Sequence, residues 1–291
     1  MPDRGRWQDL QLPHLNGQQL AGGAGVIALL LLYAPVFGHA IEVWRTDAEF
    51  SFGFLAPPLV LGLLWQRRAA LVASLGPGRN AGLPALFAGL LLYLAGIRSD
   101  VHAVSAVSFL PAMLGVAAFL YGSRTARLLS FPVAYLTAGL CLYRGLLNPV
   151  GFALQGMTAR GAALLVPLFG LPVRRDGVDL FAGHYHFVVA EACSGMSSLL
   201  ALLCLGALMV GLAQASLSRR ALLIALILPI VLAANVIRVT LVLLLSRPFG
   251  LAAATGLAHN LLGAALFLSA FGLFFVAGSM LGCYPQSAAT P

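Results

Sequence analysis

Long apolar runs separated by short polar intervals dominate the chain, at roughly 21–39, 52–66, 81–97, 102–121, 127–146, 195–213, 220–245 and 256–281. A helix rises 1.5 Å per residue, so about 20 apolar residues match the hydrocarbon core of a bilayer. The pattern predicts about eight transmembrane helices, the second short and extended by residues 50–54. Segment 148–170 departs from it, with Asn148, Gln155, Arg160, prolines and glycines set among apolar residues. That mixture reads as an interfacial or re-entrant segment rather than a full span. The longest polar interval is 171–192. Its Asp176-Gly177 dipeptide lies between Val173 and the pair Val178 and Leu180, a hairpin signal, and His186-Phe187-Val188-Val189 favours extended backbone. The expected fold class is an all-α polytopic membrane protein with a small extracytoplasmic β-hairpin. Its expected layout is a cytoplasmic segment at 1–20, one transmembrane domain at 21–281 holding the outer hairpin at about 171–192, and a cytoplasmic tail at 282–291. Residues 1–20 are polar and mixed in charge, so the first apolar run reads as a span and not as a cleaved leader.

Composition sharpens this picture. The 291 residues are 60% hydrophobic and 9% charged, with a mean hydropathy of +0.94. A soluble domain carries about 25% charged residues, so the solvent of this chain is largely lipid. All 17 basic residues are Arg, for a net charge of +8. They stand singly or in pairs between apolar runs, with no basic stripe interleaved with aromatics, which excludes a nucleic-acid partner. With the N-terminus in the cytoplasm, the pairs Arg67-Arg68 and Arg219-Arg220 fall at inner span ends, where the positive-inside rule is strongest.

Four cysteines are present, without a CxxC pair or a regular framework. That argues against a disulfide scaffold or a cysteine zinc site. Cys141, Cys204 and Cys283 lie in or at the ends of apolar helices and read as small buried hydrophobes. Cys193 differs. It sits in EACSGMSS, where the polar interval meets the sixth apolar run. A helix N-terminus lowers a thiol's pKa and favours the nucleophilic thiolate, while nearby Glu191 opposes that shift. Arg238 stands inside the seventh run, where a charge costs at least a few kcal/mol and so marks a functional candidate; an arginine reaching to the outer interface is the alternative. Asn235 lies three residues before it on the same helical face. His259, followed by Asn260, stands near the outer start of the eighth run and suits acid–base work. The predicted topology places Cys193, Arg238 and His259 at similar depth. A thiol, a cation and an acid–base group suffice for acyl transfer. A rival set, His184 and His186 with His259, would bind zinc.

Four segments resemble the exosortase/archaeosortase family of membrane transpeptidases: EFSFGFLAPPLVLGLLWQRR (49–68), VAEACSGMSSL (189–199), NVIRVTLVLL (235–244) and AHNLLG (258–263). Order and spacing also agree, over roughly residues 30–280. The histidine at 259 resembles the bacterial branch, since archaeal members carry Arg there. The resemblance implies that Cys193 is the nucleophile, that Arg238 stabilises the tetrahedral intermediate and that His259 is the general acid–base. Glu191, Ser194, Asn235 and Asn260 stand beside them as candidate substrate-binding residues. It also implies an extracytoplasmic active site in the bacterial inner membrane. The implied partners are exported proteins ending in a PEP-type motif, a hydrophobic span and a basic tail, cut at the motif and passed to an acceptor. No metal or organic cofactor is required. Two other functions fit a polytopic chain with a buried arginine: a transporter or flippase for an anionic or lipid-linked substrate, and a non-catalytic factor in exopolysaccharide assembly.

Overall fold

The computed structural model describes residues 17–47, 49–141, 144–183, 185–189, 194–213, 215–250 and 256–283, with side chains except at 17–21, 144–146 and 256–260. The chain is mostly helical and forms two compact units, Met1–Glu42 with Pro57–Leu142, and Val43–Ala56 with Tyr143–Pro291.

The first unit is built from α1 (Gly17–Leu32), most of α2 (Ala34–Thr46) and α3 (Ala56–Gln66), α4 (Arg68–Ser74), α5 (Leu83–Arg98), α6 (His102–Val107), α7 (Phe109–Tyr121) and α8 (Ser123–Leu140). Helices α1 and α2 form one apolar run bent by 51°. Pro35, at the second position of α2, lacks the N–H that would continue the ladder and crowds the preceding turn. Beside the bend, the Leu32 carbonyl accepts a hydrogen bond from Tyr93 Oη at 2.7 Å. Fully buried Tyr33 shares a 2.7 Å hydrogen bond with Ser108 Oγ. Glycines let α5 approach α6 and α7 closely. A Cβ at Gly89 would fall 2.5 Å from the Ala112 nitrogen, and one at Gly96 would meet Ser105. Small residues are the usual way to bring helices together in lipid, where apolar surface has no preference for protein over acyl chain.

The second unit holds a 3-10 turn at Ser51–Leu55, α9 (Arg144–Leu165) with a 3-10 turn at Val166–Phe169, β1 (Val173–Asp176), β2 (Asp179–Ala182), β3 (Tyr185–Val188), α10 (Met196–Leu212), α11 (Leu217–Phe249) and α12 (Gly256–Met280). The three strands form an antiparallel sheet in the order β1-β2-β3. The Asp176-Gly177 signal marks a real hairpin: Asp176 pairs with Asp179, and Gly177 takes φ +60° at the two-residue turn. The second turn, with Gly183 at φ +59°, adds β3, so the expected hairpin is part of a three-stranded sheet. Alternation sends Leu180 and Ala182 inward. They pack with Ala159, Ala162 and Val166, with Leu243 of α11, and with Val189 just beyond β3.

Five helical segments are long and apolar enough to cross a membrane: Asn80–Arg98, His102–Tyr121, Leu147–Phe169, Leu217–Phe249 and Leu261–Met280. The bent α1–α2 pair is a sixth, and Ser51–Gln66 and Met196–Leu212 are shorter apolar helices. Segment 148–170, expected to be interfacial or re-entrant, is continuous α-helix as far as Leu165 and then a 3-10 turn at Val166–Phe169, and Leu147–Phe169 is long and apolar enough to cross. Two of its small residues serve packing. Gly161 lies against the Val236 side chain, and Thr158, fully buried, bonds α11. Conversely, α8 does not qualify as a span, since Ser123, Arg124, Thr125 and Arg127 open it.

Candidate functional site

The candidate site is assembled around one turn of α11. Asn235 and Arg238 border a cleft that also takes in Ser198 of α10 and Gly263, Leu266 and Phe267 of α12. The three-residue spacing does what helical geometry requires and sets both side chains on one face. Its lining is mixed, polar at Ser198, Asn235 and Arg238 and apolar elsewhere. Arg238 is half-buried, and its guanidinium lies close beside Gly263: a Cβ there would stand 3.1 Å from Nη2 and 3.2 Å from Cζ. Glycine at 263 makes room for the cation.

Asn235 is 5% exposed and its Nδ2 donates to Thr158 Oγ1 of α9 at 3.0 Å. Its other neighbour is the turn that starts α10. Gly195 takes φ +85°, a left-handed conformation that side chains disfavour, and a Cβ added to it would be 3.2–3.3 Å from Asn235 Cγ, Cβ and Nδ2. Ser194, 1% exposed, accepts a 3.1 Å hydrogen bond from the Met196 N–H. The Gly195 carbonyl in turn accepts from the Leu199 N–H at 2.9 Å and begins the α10 ladder. The chain therefore passes from the anchored sheet, through residues 190–193, into a turn seated on Asn235.

Of the residues singled out by sequence, Arg238, Asn235 and Ser194 come together here. Cys193, Glu191 and His184 lie outside the described residues. His259 and Asn260 fall in the first turns of α12, and their side chains lie outside the described set. Position 259 is four residues before Gly263, hence one helical turn away on the same face. Sequence reasoning missed Thr158 and Gly263. The available signal for Gly263 was its spacing from His259. For Thr158 it was a lone hydroxyl amid small residues.

His186 belongs elsewhere. Its Nε2 lies 2.6 Å from Asp179 Oδ1 across β2 and β3, and its ring stacks on Phe181 at 4.6 Å. Among the described residues no group of three His, Cys, Asp or Glu could hold a metal ion.

Comparison with curated proteins and with solved structures gave no match. Residues 44–276 match the family described as transmembrane exosortase. That interval takes in the 3-10 turn at Ser51–Leu55, the sheet, the Cys193 segment and the Arg238 cleft. With most of its length matched, and with apolar helices in number, this multi-pass membrane protein belongs to the transmembrane exosortase family.

Proposed function

We propose that the protein is a membrane cysteine peptidase and transpeptidase that removes a C-terminal sorting signal from exported proteins and passes the new C-terminus to an acceptor. Family membership supports transpeptidase-type chemistry. The observation that carries the assignment of residues is a convergence. The glycine two residues after Cys193 packs on Asn235, and the glycine one turn after His259 packs on Arg238, on one face of α11.

In this reading the Cys193 thiolate attacks the scissile carbonyl, and the oxygen takes up the developing negative charge. The Arg238 guanidinium stabilises that oxyanion, more strongly in a half-buried cleft than in water. His259 gives its proton to the leaving amine, so collapse yields a thioester on Cys193 and the departing sorting signal. An acceptor nucleophile or water then attacks the thioester, loses its proton to His259, and releases the thiolate. Metal and organic cofactors have no role in these steps. The substrate's own hydrophobic span would dock laterally and present a PEP-type motif. The acceptor is a nucleophile at the outer face of the bacterial inner membrane.

The reading takes its orientation from crossing order. If the shorter helices Ser51–Gln66 and Met196–Leu212 cross with the six longer segments, and α8 lies along the inner interface, eight segments span, and a cytoplasmic N-terminus would put the sheet and Cys193 outside. This order also puts Arg144 on the cytoplasmic side, in keeping with the positive-inside rule.

The test is C-terminal processing of a substrate tagged ahead of its sorting signal, in cells carrying wild type, Cys193→Ala, Arg238→Ala or His259→Ala. Shortening with wild type alone, at equal membrane levels, is expected. Shortening that persists in Cys193→Ala would sink the enzyme reading and favour transport of an anionic substrate at Arg238.

A further inference from the structure

The cleft on α11 holds a hydroxyl that the three proposed catalytic groups leave unused. Ser198, half-buried in the first turn of α10, lines the cleft together with Asn235 and Arg238. A helical serine often turns its hydroxyl back to a carbonyl three or four residues earlier. Ser74, Ser108, Ser130 and Ser246 do so at 2.6–2.7 Å, and Ser269 at 2.8 Å. Ser198 does not: among the described residues its Oγ makes no hydrogen bond, and it borders the cleft instead. A hydroxyl left unbonded among apolar helices is costly until a partner arrives.

Packing around the cleft limits what can enter. Val231 stands seven residues from Arg238 along α11, about 10 Å at 1.5 Å per residue. Ala270 stands seven from Gly263 along α12. One turn beyond these are Ile227 and Phe274, both 0% exposed, and a Cβ at Gly206 of α10 would fall 2.8 Å from Ile227 Cδ1 and 3.1 Å from Phe274 Cζ. The three helices are closed on one another at that level, and the cleft ends there. Its volume is about 20 Å³, room for a small group such as one carbonyl.

We propose that Ser198 is a second oxyanion donor, whose hydroxyl binds the same substrate carbonyl oxygen as the Arg238 guanidinium. This rests on the acyl-transfer reading of the cleft. When the thiolate attacks, the C–S bond forms and the C=O π pair moves on to oxygen. Ser198 donates a hydrogen bond to that oxygen and keeps its own proton, while the proton on the leaving amine still comes from His259. Arg238 supplies charge and Ser198 fixes a direction. Charge on the oxygen is greatest in the transition state, so the hydroxyl governs turnover more than docking.

The experiment measures processing of a tagged substrate by purified full-length protein in proteoliposomes, with Ser198→Ala, Ser198→Thr and Ser198→Val. Threonine and valine have the same shape, and only threonine keeps the hydroxyl. The expected result is a kcat about 100-fold lower in Ser198→Ala, the usual effect of removing one such donor, with KM within about twofold of wild type. Ser198→Thr should be at least tenfold faster than Ser198→Val. Wild-type kcat in Ser198→Ala overturns the second donor, and so does a raised KM at unchanged kcat, which marks a ground-state contact. Equal rates in Ser198→Thr and Ser198→Val also overturn it, since a packing defect gives that pattern. Cys193→Ala run in parallel separates the two levels. Activity retained there defeats the acyl-transfer reading and the second donor with it, whereas an inactive Cys193→Ala beside an unaffected Ser198→Ala defeats the second donor alone.

Discussion

At the scale of single residues, two glycines, Gly195 and Gly263, meet the face of α11 that bears Asn235 and Arg238. A planar guanidinium stabilises an oxyanion best when its N–H groups are held in one orientation, and a Cβ at position 263 would crowd the Arg238 group. Gly263→Val should displace the guanidinium and lower kcat about tenfold, roughly 1.4 kcal/mol of transition-state stabilisation, with protein level in the membrane unchanged. A wild-type rate in Gly263→Val would show that the contact is incidental. Arg238→Lys keeps the charge and loses the planar fork, so it should remain well below wild type in the same assay. The residue scale is also where the sequence offers its sharpest candidates. An arginine in an apolar run and a cysteine at a span boundary are improbable by composition alone, and they could be singled out without coordinates.

At the scale of elements, the helices of the first unit are held by small-residue contact and by hydrogen bonds that satisfy backbone near a bend. Gly89 on α5 lies against the backbone of Ala112 on α7. Gly89→Leu should force the two helices apart and lower both the membrane level and the thermal midpoint of unfolding, whereas Gly62→Ala, with open space around its Cβ position, should do neither. The bent α1–α2 element depends on Tyr93 for the Leu32 carbonyl. Tyr93→Phe should cost about 1 kcal/mol, the usual net worth of such a bond, read as a lower midpoint in detergent. In the second unit the fully buried Leu180 ties the sheet to α9 and α11. Apolarity alone predicted most elements well. It did not foresee one continuous helix over 148–165, because a glycine or threonine facing a neighbouring helix has the same sequence signature as one facing an interface.

At the scale of the whole molecule, family membership and the apolar segments establish a multi-pass protein. The side of the membrane is a matter of parity, and α8 and α9 decide it. A reporter placed between these two helices should read cytoplasmic, and one at Gly177 in the β1–β2 turn should read extracytoplasmic. Both reading the same side would mean that α9 does not cross, and the expected outer position of Cys193 would have to be rebuilt from a different set of spans.

Hydropathy and residue chemistry by themselves determined that the chain lives in lipid, that it is helical, that a β-turn forms at Asp176-Gly177, and which cysteine and which arginine stand out. These are properties of local free energy: the cost of exposing a peptide group to hydrocarbon, of burying a charge, or of placing a side chain at positive φ. Only the tertiary structure decided that β3 completes a sheet, that α9 is a full helix, that Thr158 reaches Asn235, and that Gly195 and Gly263 make contact with the face of α11 bearing Asn235 and Arg238. Those contacts join residues far apart in sequence, from Thr158 to Gly263. No local periodicity encodes them, because they follow from which helix faces meet once packing has been resolved.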